Sequence, residues 1–250
     1  RTVHRLQTAA VSERRPTRGR SKDGDLLHTG ALIDAGIALR AGRDPEPRLY
    51  RDSAARVEAL DVLLLIDCSA STSFALPSGR RVLDALREAA LIAAAALEAT
   101  GHRCAIQGFA SDTRQRIRVQ RVKDFADAAL DDAVLARAGG LRSAGSTRMG
   151  AAIRHAAAQL SAPRSLIVLL TDGEPHDVDI HDPRYLPDDL AHALTGAGRA
   201  GIATACLHAS PDGTSSALRR VFARGLYLPL RSPDRLARTL CTCIAAIGGR

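Results

Sequence analysis

The sequence predicts an α/β fold: a doubly wound, mostly parallel six-stranded sheet with one antiparallel edge strand and helices on both faces. Short apolar runs such as residues 61–66 and 166–170 do not alternate with polar residues, which is typical of strands buried on both faces. Longer helix-like segments separate these runs, as in βαβ units. Aromatic residues make up only 3% of the chain and Trp is absent, so the core must be aliphatic.

The predicted strands are short and rich in branched apolar residues. They cover residues 61–66, 104–109, 115–122, 166–170, 202–207 and 226–230. The third of them is different, because Ile117, Val119 and Val122 alternate with arginines. Alternation predicts a half-exposed edge strand, and its charges keep that edge from pairing with other chains.

The predicted helices combine an apolar stripe with start and stop signals. They cover residues 25–39, 82–100, 124–135, 148–160, 186–200, 217–224 and 234–247. Because helices alternate with strands, the sheet should be mostly parallel. Ligands of such sheets bind beyond the carboxyl ends of the strands, which directs attention to the residues that follow each strand.

Three segments are predicted along the chain. Residues 1–24 are rich in arginine and are expected to be a basic disordered linker. Residues 25–57 are expected to be a helical lead-in with an extended connector, and residues 58–250 the α/β domain. The formal net charge is +8, but no aromatic residues interrupt the basic run, so nucleic acid is not an expected partner. Because the sequence starts with Arg1 rather than Met, we expect it to be part of a longer protein.

The cysteines indicate a reducing compartment. There are five, an odd number without zinc-type spacing, which favours buried free thiols. No apolar run approaches the roughly 18 residues of a membrane span, and no signal peptide is visible. We therefore expect a cytoplasmic location and no membrane partner.

Oxygen-bearing side chains follow two of the buried strands. Asp67 ends one strand and is followed by Ser69 and Ser71, while Asp172 follows another strand and Thr147 precedes a helix. These five residues offer only hard oxygen donors, which select Mg²⁺, Mn²⁺ or Ca²⁺ over zinc. Three neutral hydroxyls and two carboxylates suit Mg²⁺ best. One coordination position can stay open for a carboxylate of another molecule.

The same residues resemble a known site. Asp67-x-Ser69-x-Ser71, the distant Thr147 and the pair Asp172-Gly173 are similar to the metal-ion-dependent adhesion site of von Willebrand factor A domains. The resemblance covers about residues 58–248. It implies a non-catalytic protein-binding domain of the predicted fold, with the metal bound by these five residues.

A narrower resemblance rests on residues 23–25, 39–42, 47–50, 171–177 and 182–186, which are similar to the NorD and CbbO proteins. In that family such a domain ends a longer adaptor, which couples a MoxR-type AAA+ ATPase to a client enzyme. The implied client is nitric oxide reductase in the NorD branch and inhibited Rubisco in the CbbO branch. No phosphate-binding loop occurs in this chain, so the ATPase would supply the mechanical work.

A polar rim is predicted to surround the metal site and to shape the choice of partner. Its members are Arg148, Glu174, His176, Asp177 and Asp179.

Two other functions are compatible with the pattern. A static adhesion or scaffolding module would use the metal without any ATPase. A Mg²⁺-dependent phosphohydrolase would need a second acid two residues after the first aspartate, where this chain has Ser69. We therefore do not expect an enzyme.

Overall fold

A computed structural model of the chain describes residues 13–23, 27–56, 59–76, 79–127, 130–161, 163–209, 215–222 and 226–230, together with Thr239. The chain divides into two units, Val11–Glu58 and a larger unit that includes Ala59–Arg250. In the described residues, no helix is long and apolar enough to span a bilayer.

The smaller unit contains a two-stranded antiparallel sheet formed by β1 (Glu13–Ser21) and β2 (Tyr50–Arg56). Helix α1 (Thr29–Arg40) lies between them in sequence, and His28 Nδ1 caps it by accepting from the Ala31 N–H at 3.1 Å. Residues 13–21 of the expected disordered linker thus form a strand, and residues 1–12 and 24 of that prediction lie outside the described residues. Strand pairing uses main-chain groups, so an arginine-rich sequence can still form a ladder.

The larger unit has a six-stranded sheet of order β5-β4-β3-β6-β7-β8. Its elements are β3 (Asp61–Asp67), α2 (Val82–Glu98), β4 (Arg103–Asp112), β5 (Arg116–Lys123), α3 (Asp132–Gly139), α4 (Met149–Ala157), β6 (Ser165–Thr171), α5 (Tyr185–Arg199), β7 (Ile202–Ala209), α6 (Ser216–Val221) and β8 (Leu226–Leu230). All neighbouring strands are parallel except β4 and β5. The predicted fold class is confirmed, including the antiparallel edge strand.

The sheet has an aliphatic core on each face. Helices α2 and α3 cover one face, where Leu64 and Ile66 of β3 pack. Helices α4, α5 and α6 cover the other face, where Leu63 and Leu65 pack. Every residue of β3 and of β6 is buried, which explains why their sequences do not alternate. The two central strands are thus held rigidly up to their carboxyl ends.

The predicted helix over residues 124–135 is wrong at its start, because α3 begins at Asp132. Asp124 and Asp127 form a turn, in which Asp127 Oδ2 accepts from the Asp124 N–H at 2.9 Å. Aspartate side chains compete in this way with helical hydrogen bonds. Asp131 then caps α3 by accepting from the Val134 N–H at 2.8 Å. The predicted helix over residues 234–247 lies outside the described residues, apart from Thr239.

Lys123 is a buried cation at the end of the edge strand, with 2% of its side chain exposed. Its Nζ lies 2.8 Å from Glu98 Oε1 on α2 and donates to the carbonyls of Cys104 and Asp127 at 3.2 and 2.8 Å. The ammonium therefore joins β5 to α2 and to the turn that follows the strand. The sequence pattern alone places Lys123 among the exposed edge charges.

Replacing Lys123 with Met should lower the free energy of unfolding by roughly 2–4 kcal/mol, because it removes the ion pair with Glu98 and the hydrogen bonds to three carbonyls. Arg121→Met is the matched control on the same strand, since Arg121 is exposed and 3.8 Å from its nearest carboxylate. The control should change the free energy by no more than about 0.5 kcal/mol. Urea denaturation of both variants makes the comparison, and equal losses would contradict this role of Lys123.

Candidate metal centre

The five predicted ligands meet at the carboxyl edge of the central strands. Because β3 and β6 are parallel and in register, with Ile66 opposite Leu170, Asp67 and Asp172 leave the sheet side by side. Asp67 Oδ1 accepts from the Ser69 N–H at 2.8 Å, and Asp67 Oδ2 accepts from the Thr147 hydroxyl at 3.2 Å.

The two serines complete this set of contacts. Ser69 Oγ lies 3.0 Å from Ser71 Oγ, and the Ser71 hydroxyl donates to Asp172 Oδ1 at 2.9 Å. The structure thus brings together all five residues, which the sequence separates by up to about a hundred positions. Ser71 and Asp172 are partly exposed, so this side of the site is open to solvent.

The electrostatics of the site favour a cation. Burial raises the pKa of Asp67, whose side chain is fully enclosed, in spite of its hydrogen bonds. Burial and the charge of Asp67 raise the pKa of Asp172 to about 6. Among the described residues, no Lys, Arg or His side chain forms an ion pair with either carboxylate. Two neighbouring carboxylates without a counter-charge are what a bound divalent cation would stabilise.

The donor set consists mainly of hydroxyl groups. No group of three or more His, Cys, Asp or Glu side chains arranged to hold a metal occurs in the described part of the chain. The five residues instead combine two carboxylates with three hydroxyls. A hydroxyl carries two acceptor lone pairs and a rotatable proton, so Ser69, Ser71 and Thr147 can turn oxygen toward a cation. This chemistry fits Mg²⁺, Mn²⁺ or Ca²⁺.

Thr171 is a supporting residue that the sequence motifs did not indicate. Its hydroxyl donates to Asp67 Oδ2 at 2.7 Å and is completely buried. Since Asp67 Oδ1 is held by the Ser69 N–H, both oxygens of the carboxylate are fixed in orientation. The only signal in the sequence was the position of Thr171 at the end of a buried strand, directly before Asp172.

Main-chain hydrogen bonds hold the ligand-bearing loops together. The loop after β3 is joined to the loop before α4 by Ala70 N–H to Gly145 O at 2.9 Å and by Ala144 N–H to Cys68 O at 2.9 Å. Thr147 N–H donates to His176 O at 2.8 Å, which adds the loop after β6. The three loops therefore form one layer, and the ligands do not depend on any single loop for their positions.

Gly145 permits a close approach within this layer. Its φ is 78°, a left-handed conformation that favours glycine. A Cβ at this position would lie 2.4 Å from the Ser111 carbonyl oxygen. Ser111 and Ser146 exchange two main-chain hydrogen bonds of 2.8 Å, which fix β4 to the loop that carries Thr147.

Two members of the predicted rim form a buried ion pair instead. Arg148 Nε lies 2.6 Å from Asp177 Oδ2, and their side chains are 8% and 0% exposed. Asp177 also accepts from the Ser111 hydroxyl at 2.8 Å and the Val178 N–H at 2.7 Å. The prediction that Arg148 and Asp177 face a partner is corrected. Because 29 residues separate them, no local pattern indicates the pair.

The remaining rim residues differ in exposure. His176 is exposed, and its main chain pairs with Thr147. Glu174 is exposed and accepts from the Ser215 hydroxyl at the start of α6. Asp179 is partly exposed, contacts Arg148 and accepts from the Arg114 N–H at 2.8 Å. His176 and Glu174 are thus the members that a partner can contact most directly.

A buried histidine supports Asp172 from below. His208 Nε2 lies 3.3 Å from the Asp172 carbonyl oxygen, and His208 Nδ1 lies 2.9 Å from the Tyr227 hydroxyl. That hydroxyl oxygen accepts from the Ser215 N–H at 2.9 Å, so its proton is free to donate to Nδ1. Burial lowers the pKa of His208, which favours the neutral ring. Donation from Tyr227 to Nδ1 then places the ring proton on Nε2. The ring therefore fixes the main chain of Asp172 against β8.

Sequence comparison gives a family for this fold and site. Residues 61–223 match the von Willebrand factor type A domain model. The chain belongs to that family.

Relatives of this von Willebrand factor A domain include the protein named NorD from Brucella suis biovar 1, which is 37% identical over 208 residues. The alignment covers 82% of this chain and 32% of the relative. Protein NorD of Stutzerimonas stutzeri is 31% identical over 217 residues, 86% of this chain and 35% of the relative. The chain therefore spans about a third of the length of these relatives.

Among solved structures, the pilus adhesin SpaC of Lactobacillus rhamnosus GG is similar in fold, with a TM-score of 0.57 and 17% identity. The alignment covers 77% of this chain and 31% of the adhesin. At this identity the similarity supports the von Willebrand factor A fold alone.

Asp177→Asn should destabilise this domain by about 3–5 kcal/mol, because it leaves the buried Arg148 guanidinium with only the more exposed Asp179 as a charge partner. Burial alone would raise the pKa of Asp177, but hydrogen bonds from Ser111 and Arg148 hold it below its usual range. The ion pair therefore stabilises fully above about pH 5, and the contribution is lost as the pH falls below about 4.

Urea denaturation over a pH series tests this expectation. The free energies of unfolding of the wild type and Asp177→Asn should become equal only at acid pH. Asp189→Asn is the control, because it breaks the more exposed Arg154–Asp189 pair, with side chains 48% and 25% exposed. Asp189→Asn should lower the free energy of unfolding by no more than about 1 kcal/mol. A difference in the free energy of unfolding between wild type and Asp177→Asn that stays constant down to about pH 3 would contradict the assignment.

Proposed function

We propose that this domain binds Mg²⁺ through Asp67, Ser69, Ser71, Thr147 and Asp172 and uses it to bind a carboxylate of a partner protein. The proposal rests chiefly on the pair of carboxylates, Asp67 and Asp172, that meet three hydroxyls without a cationic side chain paired to them among the described residues. Many domains of this family hold a divalent cation, which agrees with the oxygen-only donor set. Mn²⁺ and Ca²⁺ are chemically acceptable alternatives.

The protein residues would divide the work in a specific way. Asp67 is buried and held on both oxygens, so it supplies a fixed negative charge at the base of the site. Ser71 and Asp172 lie toward solvent, where their contact can open. When bound, Mg²⁺ supplies the positive charge that attracts an acidic side chain. The two carboxylates balance the formal charge of Mg²⁺, but five protein donors leave one position of its octahedron open for a carboxylate of the partner.

Within a longer protein, we propose that the domain belongs to an adaptor that links a MoxR-type AAA+ ATPase to a client enzyme. Similarity to proteins named NorD over 82–86% of the chain supports this role and favours nitric oxide reductase as the client over Rubisco, the CbbO-branch client. A cytoplasmic location is part of the proposal. Cys68, Cys104 and Cys206 are buried free thiols, as expected in a reducing compartment.

A catalytic role is not proposed. Asp67 is completely buried and its carboxylate already accepts three hydrogen bonds, so it is poorly placed to attack a substrate. The residue two positions later is Ser69, which cannot act as a general acid. A static scaffolding role is the second candidate, since it uses the same metal and the same open side. The two differ only in whether an ATPase takes part.

Asp67→Asn should abolish saturable Mg²⁺ binding in isothermal titration calorimetry, because it removes the charge at the base of the site. Asp182→Asn is the matched control, an exposed carboxylate in the loop after β6 with the same change in charge. The control should bind Mg²⁺ as the wild type does. Equal binding by all three proteins, or none by the wild type with Mg²⁺, Mn²⁺ or Ca²⁺, would refute the metal site.

Binding to purified nitric oxide reductase, Rubisco and a MoxR-type ATPase tests the adaptor role. If the metal contact is a hot spot, chelator or Asp67→Asn should weaken client binding by about 30- to 1000-fold, while Asp182→Asn leaves it unchanged. Binding of a client but of no ATPase would select the scaffolding role. Magnesium-dependent hydrolysis of a generic phosphate ester, lost in Asp67→Asn, would contradict the non-catalytic assignment.

A further inference from the structure

The antiparallel edge strand begins at the same edge as the candidate metal site. Strand β4 is parallel to β3, with Phe109 opposite Asp67, so it runs toward that edge. Strand β5 turns back there, with Arg116 opposite Asp112. The first residues of β5 and the turn before it therefore lie beside the ligand-bearing loops rather than at the far end of the sheet.

Three exposed arginines occupy this position, and we call them the arginine edge: Arg114, Arg116 and Arg118. Within the described part of the chain, none of them forms an ion pair with Asp or Glu. Asp112 lies directly opposite Arg116 and is itself exposed, yet the two side chains do not pair. Some exposed arginines elsewhere do pair, as Arg137 does with Asp127 at 2.9 Å. The arginine edge is thus a local excess of positive charge.

The arginine edge lies against the loop that carries the candidate ligand Thr147. Arg118 Nη2 lies 4.0 Å from the position that a Cβ at Gly145 would take, and Gly145 is in the loop that carries Thr147. Arg114 is fixed nearby through its N–H bond to Asp179.

We propose that the arginine edge is a second docking surface for acidic side chains of the partner that places a carboxylate on the metal. The inference rests on the proposed function, and it specifies the partner as a protein segment with several carboxylates close together in sequence. Charge complementarity selects this occupant, because three uncompensated guanidiniums flank a site that already attracts a carboxylate. Arginine also offers paired donors that match a carboxylate in shape.

Protection of the open sheet edge and binding of nucleic acid account less well for the arginine edge. Edge protection requires charge on β5, but it does not require charges without partners beside the metal site. Nucleic acid would also be attracted, but the segment from Arg114 to Lys123 contains no aromatic residue on which a base could stack. An acidic protein segment accounts for both the charge and the position.

Fluorescence anisotropy with a labelled short polyglutamate peptide tests the proposal, with a polyglutamine peptide and a single-stranded oligothymidylate as comparison probes. The variant is Arg116→Gln with Arg118→Gln. The control is Arg199→Gln with Arg220→Gln, which removes two exposed arginines from helices α5 and α6 and changes the net charge by the same amount. Neutralising Arg116 and Arg118 should weaken polyglutamate binding by about 2- to 30-fold at low salt, and the control pair should not.

The same titrations with Asp67→Asn, and with magnesium or chelator, separate this proposal from the metal site. If the metal site is wrong, magnesium and Asp67→Asn will have no effect, but the loss in the Arg116/Arg118 variant will persist and support the docking surface. If that variant binds polyglutamate as the control pair does, the docking surface is refuted whatever the metal does. Tighter binding of oligothymidylate than of polyglutamate, lost in the same variant, would also overturn it.

Discussion

The buried carboxylate of Asp67 constrains everything around it. A charge at the end of a fully enclosed strand is costly, and the described residues offer it hydrogen bonds but no positive side chain. Asp67 accepts hydrogen bonds from Thr171, Thr147 and the Ser69 N–H, which come from different parts of the sequence. All three bonds form only when two strands and two loops are correctly aligned. The von Willebrand factor A sheet provides that alignment through the register of β3 with β6.

The layer of loops above the sheet owes its shape to contacts that do not involve the ligands directly. The Arg148–Asp177 pair lies beneath the surface and joins the start of α4 to the loop after β6, while the Ser111–Ser146 pair of hydrogen bonds joins β4 to the same layer. His208 supports Asp172 from the opposite side. These contacts hold the donor oxygens in place without a cation, which would reduce the entropy lost if the proposed cation binds.

Much of this architecture could be predicted from the sequence because it depends on local patterns. Buried strands without alternation, an aspartate at the end of each, and a threonine before a helix define the sheet, its edge strand and the five candidate ligands. The missed features depend on distant partners. Arg148 looked like an exposed rim residue because Asp177 is remote in sequence, and Lys123 looked like an edge charge because Glu98 lies on another element. The start of α3 was misplaced because Asp127 stabilises a turn.

The separation of the donor residues along the chain determines when the candidate site can form. Thr147 and Thr171 reach Asp67 from 80 and 104 residues away, across the crossovers of the parallel sheet. Pairings over such long separations cost loop-closure entropy, and they form only when the intervening segments are ordered. An incompletely folded copy of the domain therefore lacks the assembled set of donor oxygens. Under the proposed function such a copy would not bind a partner, so binding would require a completed fold.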